Sequence, residues 1–318
     1  MSFDGREPKA GIPSAWGKQR GGLTPGSSFT VDYLPVPTHL SDYITTMYWF
    51  RCEDSEISDI QPASIGHLSL FAKGEGTIYF GEGRSEPSHR MNLLTPLSIA
   101  APFEVQGPFH AIGAALTPLG WAGLTGLHAA QHSNRIYRAE ETLGGEIGRL
   151  GEIWSEGYRS GALSAQDVAA ALADYIGANS KTVPAKHRDL IAATNRWLAA
   201  DLDPDLDDLY DSLGYSRRQV QRVLEQYFGL PPVALKRKYR ALRAAALLSL
   251  PELAPDFERK VRGAFFDQPH MIREISLFVG RTPARLTDDA SPFLSEMLDT
   301  QNFREIGGLP KNDGDTDI

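Results

Sequence analysis

Between Gly214 and Arg243 the chain carries eight basic side chains against one acid, Glu225. Within that stretch Arg218, Gln221, Arg222 and Glu225 stand at i, i+3, i+4 and i+7, which on a helix is one face. An arginine there can grip guanine O6 and N7 with two hydrogen bonds, a glutamine can do the same for adenine N6 and N7, and a helix fits the major groove. Arg217 adjoins them. Lys236, Arg237, Lys238, Arg240 and Arg243, farther along, are better suited to phosphate, which adds affinity and salt dependence without sequence information. Two readings fit such a face. One is contact with a polyanion; the other is the solvated side of a helical hairpin in an ordinary bundle, and charge alone leaves them even.

The elements that must hold this face are written in the neighbouring residues. Leu206, Leu209 and Leu213 form the stripe of a short helix that stops at Gly214, where a residue without Cβ can turn left-handed. Ser216 with Gln219 three residues later makes a capping box, and Gly229 before Pro231-Pro232 closes the helix it opens. That helix, Arg217 to Phe228, is about three turns long and buries Val220, Val223, Leu224, Tyr227 and Phe228. Upstream, Ala185 to Ala200 has Leu190, Ile191, Thr194, Trp197 and Leu198 at helical spacing. Downstream, Val233 to Leu250 predicts a helix of roughly 27 Å, a little under the ~34 Å of one DNA turn, so two reading helices could reach successive grooves.

A second unit follows. Asp267 can cap a helix with Pro269 in its first turn, Met271, Ile275 and Phe278 docking inward, and Gln268, Ile272 and Arg273 left to face DNA. Ile272 has two readings, contact with a thymine methyl or an ordinary core residue. His270 reads as a structural residue bonding locally. The run Phe265-Phe266-Asp267-Gln268-Pro269-His270-Met271-Ile272-Arg273-Glu274, then Phe278, Gly280 and Thr282-Pro283, resembles the second helix-turn-helix of the AraC/XylS family of transcription regulators. Leu213 to Ser216 and Phe228 to Pro232 resemble the family's first unit at the expected distance, and the likeness covers about Asp205 to Leu286.

The resemblance implies an α+β chain: an N-terminal β-rich domain, cupin-like or a small barrel, then an all-α DNA-binding domain with two helix-turn-helix units. It implies double-stranded DNA as partner, a small-molecule effector at the N-terminal domain, and RNA polymerase and a second copy of the chain as further partners. Two departures stand out. Tyr210 occupies a position where the family has a small residue, so it must find room or point sideways. Arg259-Lys260 and Ala264 replace an apolar pair and a turn glycine. Burying unpaired charges costs several kcal/mol, so the supporting helix is expected to rotate and bury Phe257 and Val261 instead.

The rest of the chain sets the frame. Its 318 residues suit about two domains, and 42% hydrophobic with 23% charged residues is ordinary for a globular protein. The net charge of −8 divides unevenly, with +2 on residues 184–290 and −10 on the remainder. The opening residues lack a basic and then apolar leader, and the longest apolar patch, Ala244 to Leu248, is too short for a bilayer span; a cytoplasmic protein with no membrane partner is expected. Residues 1–28 read as a mobile tail, 29–140 as the β-rich domain, 141–183 as a helical linker or dimerisation region, 184–290 as the DNA-binding domain and 291–318 as a tail. Short strands are expected at Thr46–Phe50, Ile65–Phe71, Thr77–Phe80 and Ala111–Leu116, with helical texture from Leu119 to about Asn179.

No catalytic site, cofactor or metal is expected. His67, His89 and His110 are isolated, and His128 with His132 lacks a third ligand. No nucleophile stands beside a base, and neither a phosphate-binding glycine loop nor a dinucleotide fingerprint occurs. The single Cys52 is read as a small core residue or a free thiol. Trp49, Tyr79, Phe80, Phe103 and Phe109 either line a ligand pocket or fill a plain core. The rival to a DNA-binding regulator is a protein-interaction module whose helix-turn-helix domain has lost useful DNA affinity.

Overall fold

A computed structural model describes residues 29–286, except Glu82 and residues 251–254, together with Met297. The expected tails, 1–28 and 291–318, lie outside the described residues apart from Met297. Eight strands form one antiparallel sheet: β1 (Phe29–Leu34), β2 (Ile44–Cys52), β3 (Glu56–Gln61), β4 (Gly66–Phe80), β5 (Arg84–Pro87), β6 (Met91–Leu94), β7 (Ala101–Leu116) and β8 (Ile136–Arg138). Their order is β1-β2-β7-β4-β6-β8, with β3 also on β7 and β5 on β4.

Period-two alternation gives the sheet two apolar faces. On β4, Leu68, Leu70 and Ala72 are fully buried in one core, while His67, Ser69 and Phe71 point to a cavity on the other side. On β7, Ile112, Ala114 and Leu116 join that core, and Phe103, Val105, Phe109 and Ala111 face the cavity. The two strands expected at Ile65–Phe71 and Thr77–Phe80 are one continuous β4. Register shifts around Lys73 and a positive φ at Gly74 let it bend instead of breaking.

Five helices belong to this half: α1 (Pro118–Thr125), α2 (Ala129–His132), α3 (Ala139–Leu143), α4 (Gly145–Ser160) and α5 (Ala165–Asn179). The helical texture expected from Leu119 is interrupted by β8, which pairs with β6 at Asn92↔Arg138, Leu93↔Tyr137 and Leu94↔Ile136. Within residues 141–183, α4 and α5 lay Ile147, Trp154, Val168, Leu172 and Ile176 on the sheet's helix-covered core. The buried faces of these two helices are therefore spent on the sheet.

The second half is all helix: α6 (Ala185–Ala200), α7 (Leu206–Leu213), α8 (Arg217–Phe228), α9 (Pro232–Leu248), α10 (Pro255–Gly263) and α11 (Gln268–Val279). Its own core gathers Trp197, Leu209, Val220, Leu224, Leu235, Leu242, Val261, Ile275 and Phe278. Among the described residues, no helix is long and apolar enough to cross a membrane.

Candidate functional site

The first helix-turn-helix unit is α7 and α8. Gly214 takes φ +61° after α7, a left-handed conformation that a glycine adopts without steric cost. Ser216 then accepts a hydrogen bond from the Gln219 N–H at 3.3 Å, and the Gln219 side chain accepts from the Ser216 N–H at 3.1 Å. With Val220, Val223, Leu224, Tyr227 and Phe228 buried, Arg217, Arg218, Gln221 and Arg222 are left exposed together. Gln221 donates to Glu225 at 2.9 Å, which orients its amide along the helix. Arg217 pairs with Asp207 at 2.7 Å and lies over the ring of Tyr210. Tyr210 thus finds its room at the surface of the unit, under a guanidinium.

The second unit is α10 and α11. Asp267 accepts from the His270 N–H at 2.6 Å, Pro269 sits in the first turn, and Met271, Ile275 and Phe278 are buried. Gln268, Ile272 and Arg273 are exposed, with Ile272 at 36%, so the core alternative for Ile272 falls away. Phe266 is 93% exposed beside them. Sequence reasoning treated it only as part of the motif; an aromatic with no apolar neighbour at helical spacing was the available signal. In α10, Val261 is fully buried and Phe257 half-buried, while Arg259 and Lys260 turn outward to Asp256 and Asp201. The buried side chains of α10 are thus the ones expected from the charged pair.

Under α11 lies a buried carboxylate. Glu274, 1% exposed, accepts from Arg237 at 2.5 Å and from Arg240 at 2.6 and 3.1 Å, and its oxygen stands 3.1 Å from His270 Nε2. His270 is accordingly held within its own unit.

Lys238, Arg240 and Arg243 of α9 depart from the phosphate role expected of them. Lys238 is 3% exposed and donates to the carbonyls of Ser64 at 2.7 Å and Leu97 at 3.1 Å, both in the first domain. Arg243, 2% exposed, donates to the carbonyls of Leu198 and Asp201, and Arg240 is buried against Glu274 and Asp203. Lys236 pairs with Asp203 at 2.9 Å. The reason is position: α9 runs through the middle of its domain and is covered on nearly every side, so its charges need internal partners. Spacing alone made them look like a surface patch. Burial also lowers the Arg243 guanidinium to about 10.

The two domains meet at the end of α11. The Ala63 N–H donates to the Phe278 carbonyl at 2.7 Å and the Ala100 N–H to the Leu277 carbonyl at 3.0 Å. Arg281 and Asp59, both nearly fully buried, pair at 2.8 Å. Gly280, at φ +84°, approaches so closely that a Cβ would sit 2.4 Å from Ile60.

The cavity in the first domain measures about 150 Å³. Of the five aromatics weighed for a pocket, Phe103 and Phe109 line it. Trp49 instead donates to Tyr158, Tyr79 donates to Glu104, and Phe80 packs in a small core with Leu97 and Ile136. Burial, reinforced by the charge of Lys238, lowers His67 to about 4, and burial raises Tyr48 to about 12, so both are neutral near pH 7. His110 lies between Glu53 at 2.8 Å and Tyr158 at 2.7 Å. Cys52 is buried in a small core with Phe50 and Ile57.

No protein-family model matches the chain, and no curated protein sequence does. Among solved structures, it is similar to ToxT from Vibrio cholerae O395 bound to (E)-4-(8-methylnaphthalen-1-yl)but-3-enoic acid, with a TM-score of 0.43 and 13% identity over 83% of this chain and 100% of that one. Unsaturated fatty acid bound wild-type ToxT from Vibrio cholerae strain SCE256 gives 0.41 and 12% over 83% and 96%. The AraC-like transcriptional activator CuxR gives 0.31 and 14% over 68% and 86%.

Proposed function

We propose that this chain is a sequence-specific, double-stranded DNA-binding transcription regulator whose first domain holds a small-molecule effector. Arg218, Gln221 and Arg222 on α8 read one major groove, with Arg217 on the flanking backbone; Gln268, Ile272 and Arg273 on α11 read the next. Lys236, tied to Asp203, is at most a secondary phosphate contact, and Lys238 belongs to the domain junction. RNA polymerase and a second copy of the chain complete the proposed partners.

The observation that carries this reading is the pair of capped three-turn helices α8 and α11. Each buries its apolar stripe and exposes an arginine and a glutamine, the side chains that make bidentate contacts with bases. Between them runs α9, about 25 Å long, close to the spacing of successive grooves. The test is selection from a random duplex library with the purified chain. One sharply specified half-site and a weaker one about a helical turn away are expected; no enriched motif would sink the proposal. The protein-interaction reading predicts that failure, and it is favoured by the internal burial of Lys238, Arg240 and Arg243, which removes phosphate contacts from the domain.

A further inference from the structure

The cavity of the first domain is chemically one-sided. Among the described residues that line it, the polar groups are hydroxyls, one amide and one imidazole, with neither a carboxylate nor an ammonium. Lys238 is the cation whose charge reaches His67, and it keeps its ammonium on the carbonyls of Ser64 and Leu97. An anion placed inside would lose its hydration with no cation among the described residues to replace it, a cost of several kcal/mol. Apolar surface meets no such penalty. The volume sets the size: an apolar cavity of about 150 Å³ in another protein takes up benzene.

One wall residue comes from elsewhere in the chain. Met297 follows the second helix-turn-helix unit in sequence, yet it lines this cavity and packs with Phe50, Val105 and Phe109. The Gln61 amide nitrogen lies 3.9 Å from its sulfur. A thioether on an unbranched side chain can move aside or close over a ligand at little cost.

We propose that the cavity binds an uncharged, mainly apolar molecule the size of a substituted single ring, and that Met297 forms part of the wall that the ligand touches. That such a ligand acts as an effector rests on the DNA-binding reading; that it binds does not. Tyr48, His67 and Ser69 provide the polar end, able to meet one hydroxyl or carbonyl, and Phe71, Phe103 and Phe109 provide the apolar body.

The full chain, without DNA, is titrated at pH 7.5 with toluene, p-cresol and benzoate. Calorimetry gives the affinities, and the carbon-13 methyl signals of its five methionines report location, with the Met297 signal assigned through Met297→Leu. Saturable binding of toluene and p-cresol is expected, with benzoate at least tenfold weaker and the Met297 methyl shifted at saturation. Equal affinity for benzoate overturns the assignment of ligand class. Absence of saturable binding by either neutral ring, or saturation that leaves the Met297 methyl unmoved, overturns the site. Ala111→Phe should fill the cavity and abolish p-cresol binding; should that variant unfold, the Met297 signal of the unsubstituted chain still decides. Arg222→Ala should retain p-cresol binding while losing specific DNA affinity, so failure of one proposal is separable from failure of the other.

Discussion

The two helix-turn-helix units rest on the first domain by different physics. The unit of α8 is seated by apolar contact, with Leu119 and Ala122 of α1 packed on its core and Gly229 against Ala129 of α2. The unit of α11 is seated by directed polar bonds: two backbone hydrogen bonds from Ala63 and Ala100 and the Arg281–Asp59 pair, while the Glu274 network ties α11 to α9 within the helical half. Apolar contact is non-directional and tolerates small slides, whereas a buried polar network is favourable only when every member is matched. The difference implies that the first domain dictates the orientation of α11 more strictly than that of α8.

The largest effect is expected at Glu274, in the polar network that ties α11 to α9. Glu274→Ala leaves the buried Arg240 with Asp203 as its remaining carboxylate and should cost about 3 kcal/mol in urea unfolding. The exposed Gln221→Ala on α8 should change stability by less than about 0.5 kcal/mol. Comparable losses from the two variants would erase the distinction.

The second test uses pH at the junction. His67 is held at about 4 against an ordinary 6.5, so it binds its proton less readily folded than unfolded. The associated stability, about 3 kcal/mol, is present in full above pH 6.5 and lost as pH falls toward 4. Unfolding midpoints measured across that window should decline in the unsubstituted chain and flatten in His67→Gln. An unchanged slope would mean that His67 is not the group responsible.

Arg222→Ala should weaken specific DNA binding by about 1–3 kcal/mol and relax preference at one base pair, checked by binding isotherms on the selected site and its single-base variants. Lys238→Ala should act differently, costing about 1–3 kcal/mol of stability through the orphaned carbonyls of Ser64 and Leu97. A salt slope altered by Lys238→Ala in a chain of unchanged stability would return that residue to the DNA face.

The smallest expected effect is at the caps. Ser216→Ala and Asp267→Ala each remove a side-chain acceptor at the start of α8 or α11 and should cost about 1 kcal/mol in thermal unfolding. If the second unit is the more rigidly held, only Asp267→Ala should also lower protection of the Leu277 and Phe278 region in hydrogen exchange.

Local chemistry was legible in the residues. Gly214 marked the end of α7, and Ser216 with Gln219 and Gly229 the two ends of α8, because caps are set by neighbours a few positions away. Arg259-Lys260 likewise announced which face of α10 turns outward, since charge and burial conflict wherever they meet. What could not be read was which charges the tertiary fold would enclose. Lys238 has the sequence surroundings of a surface lysine and becomes a junction residue only because Ser64 and Leu97, far away in the chain, arrive beside it. The same holds for the cavity: on β2 Tyr48 and Phe50 face it and Trp49 between them points to the helix-covered core, and only pairing with β7 settles which face the cavity takes.

Gly280 has a consequence for transplantation. Its backbone lies where a side chain would strike Ile60, while Arg281 next to it depends on Asp59 and Lys238 depends on two carbonyls of the same neighbour. The helical half is therefore tailored to one companion. A chimaera joining it to a foreign first domain would expose or orphan these groups together, and exchange of modules by recombination would require compensating changes at Gly280, Arg281 and Lys238 at once.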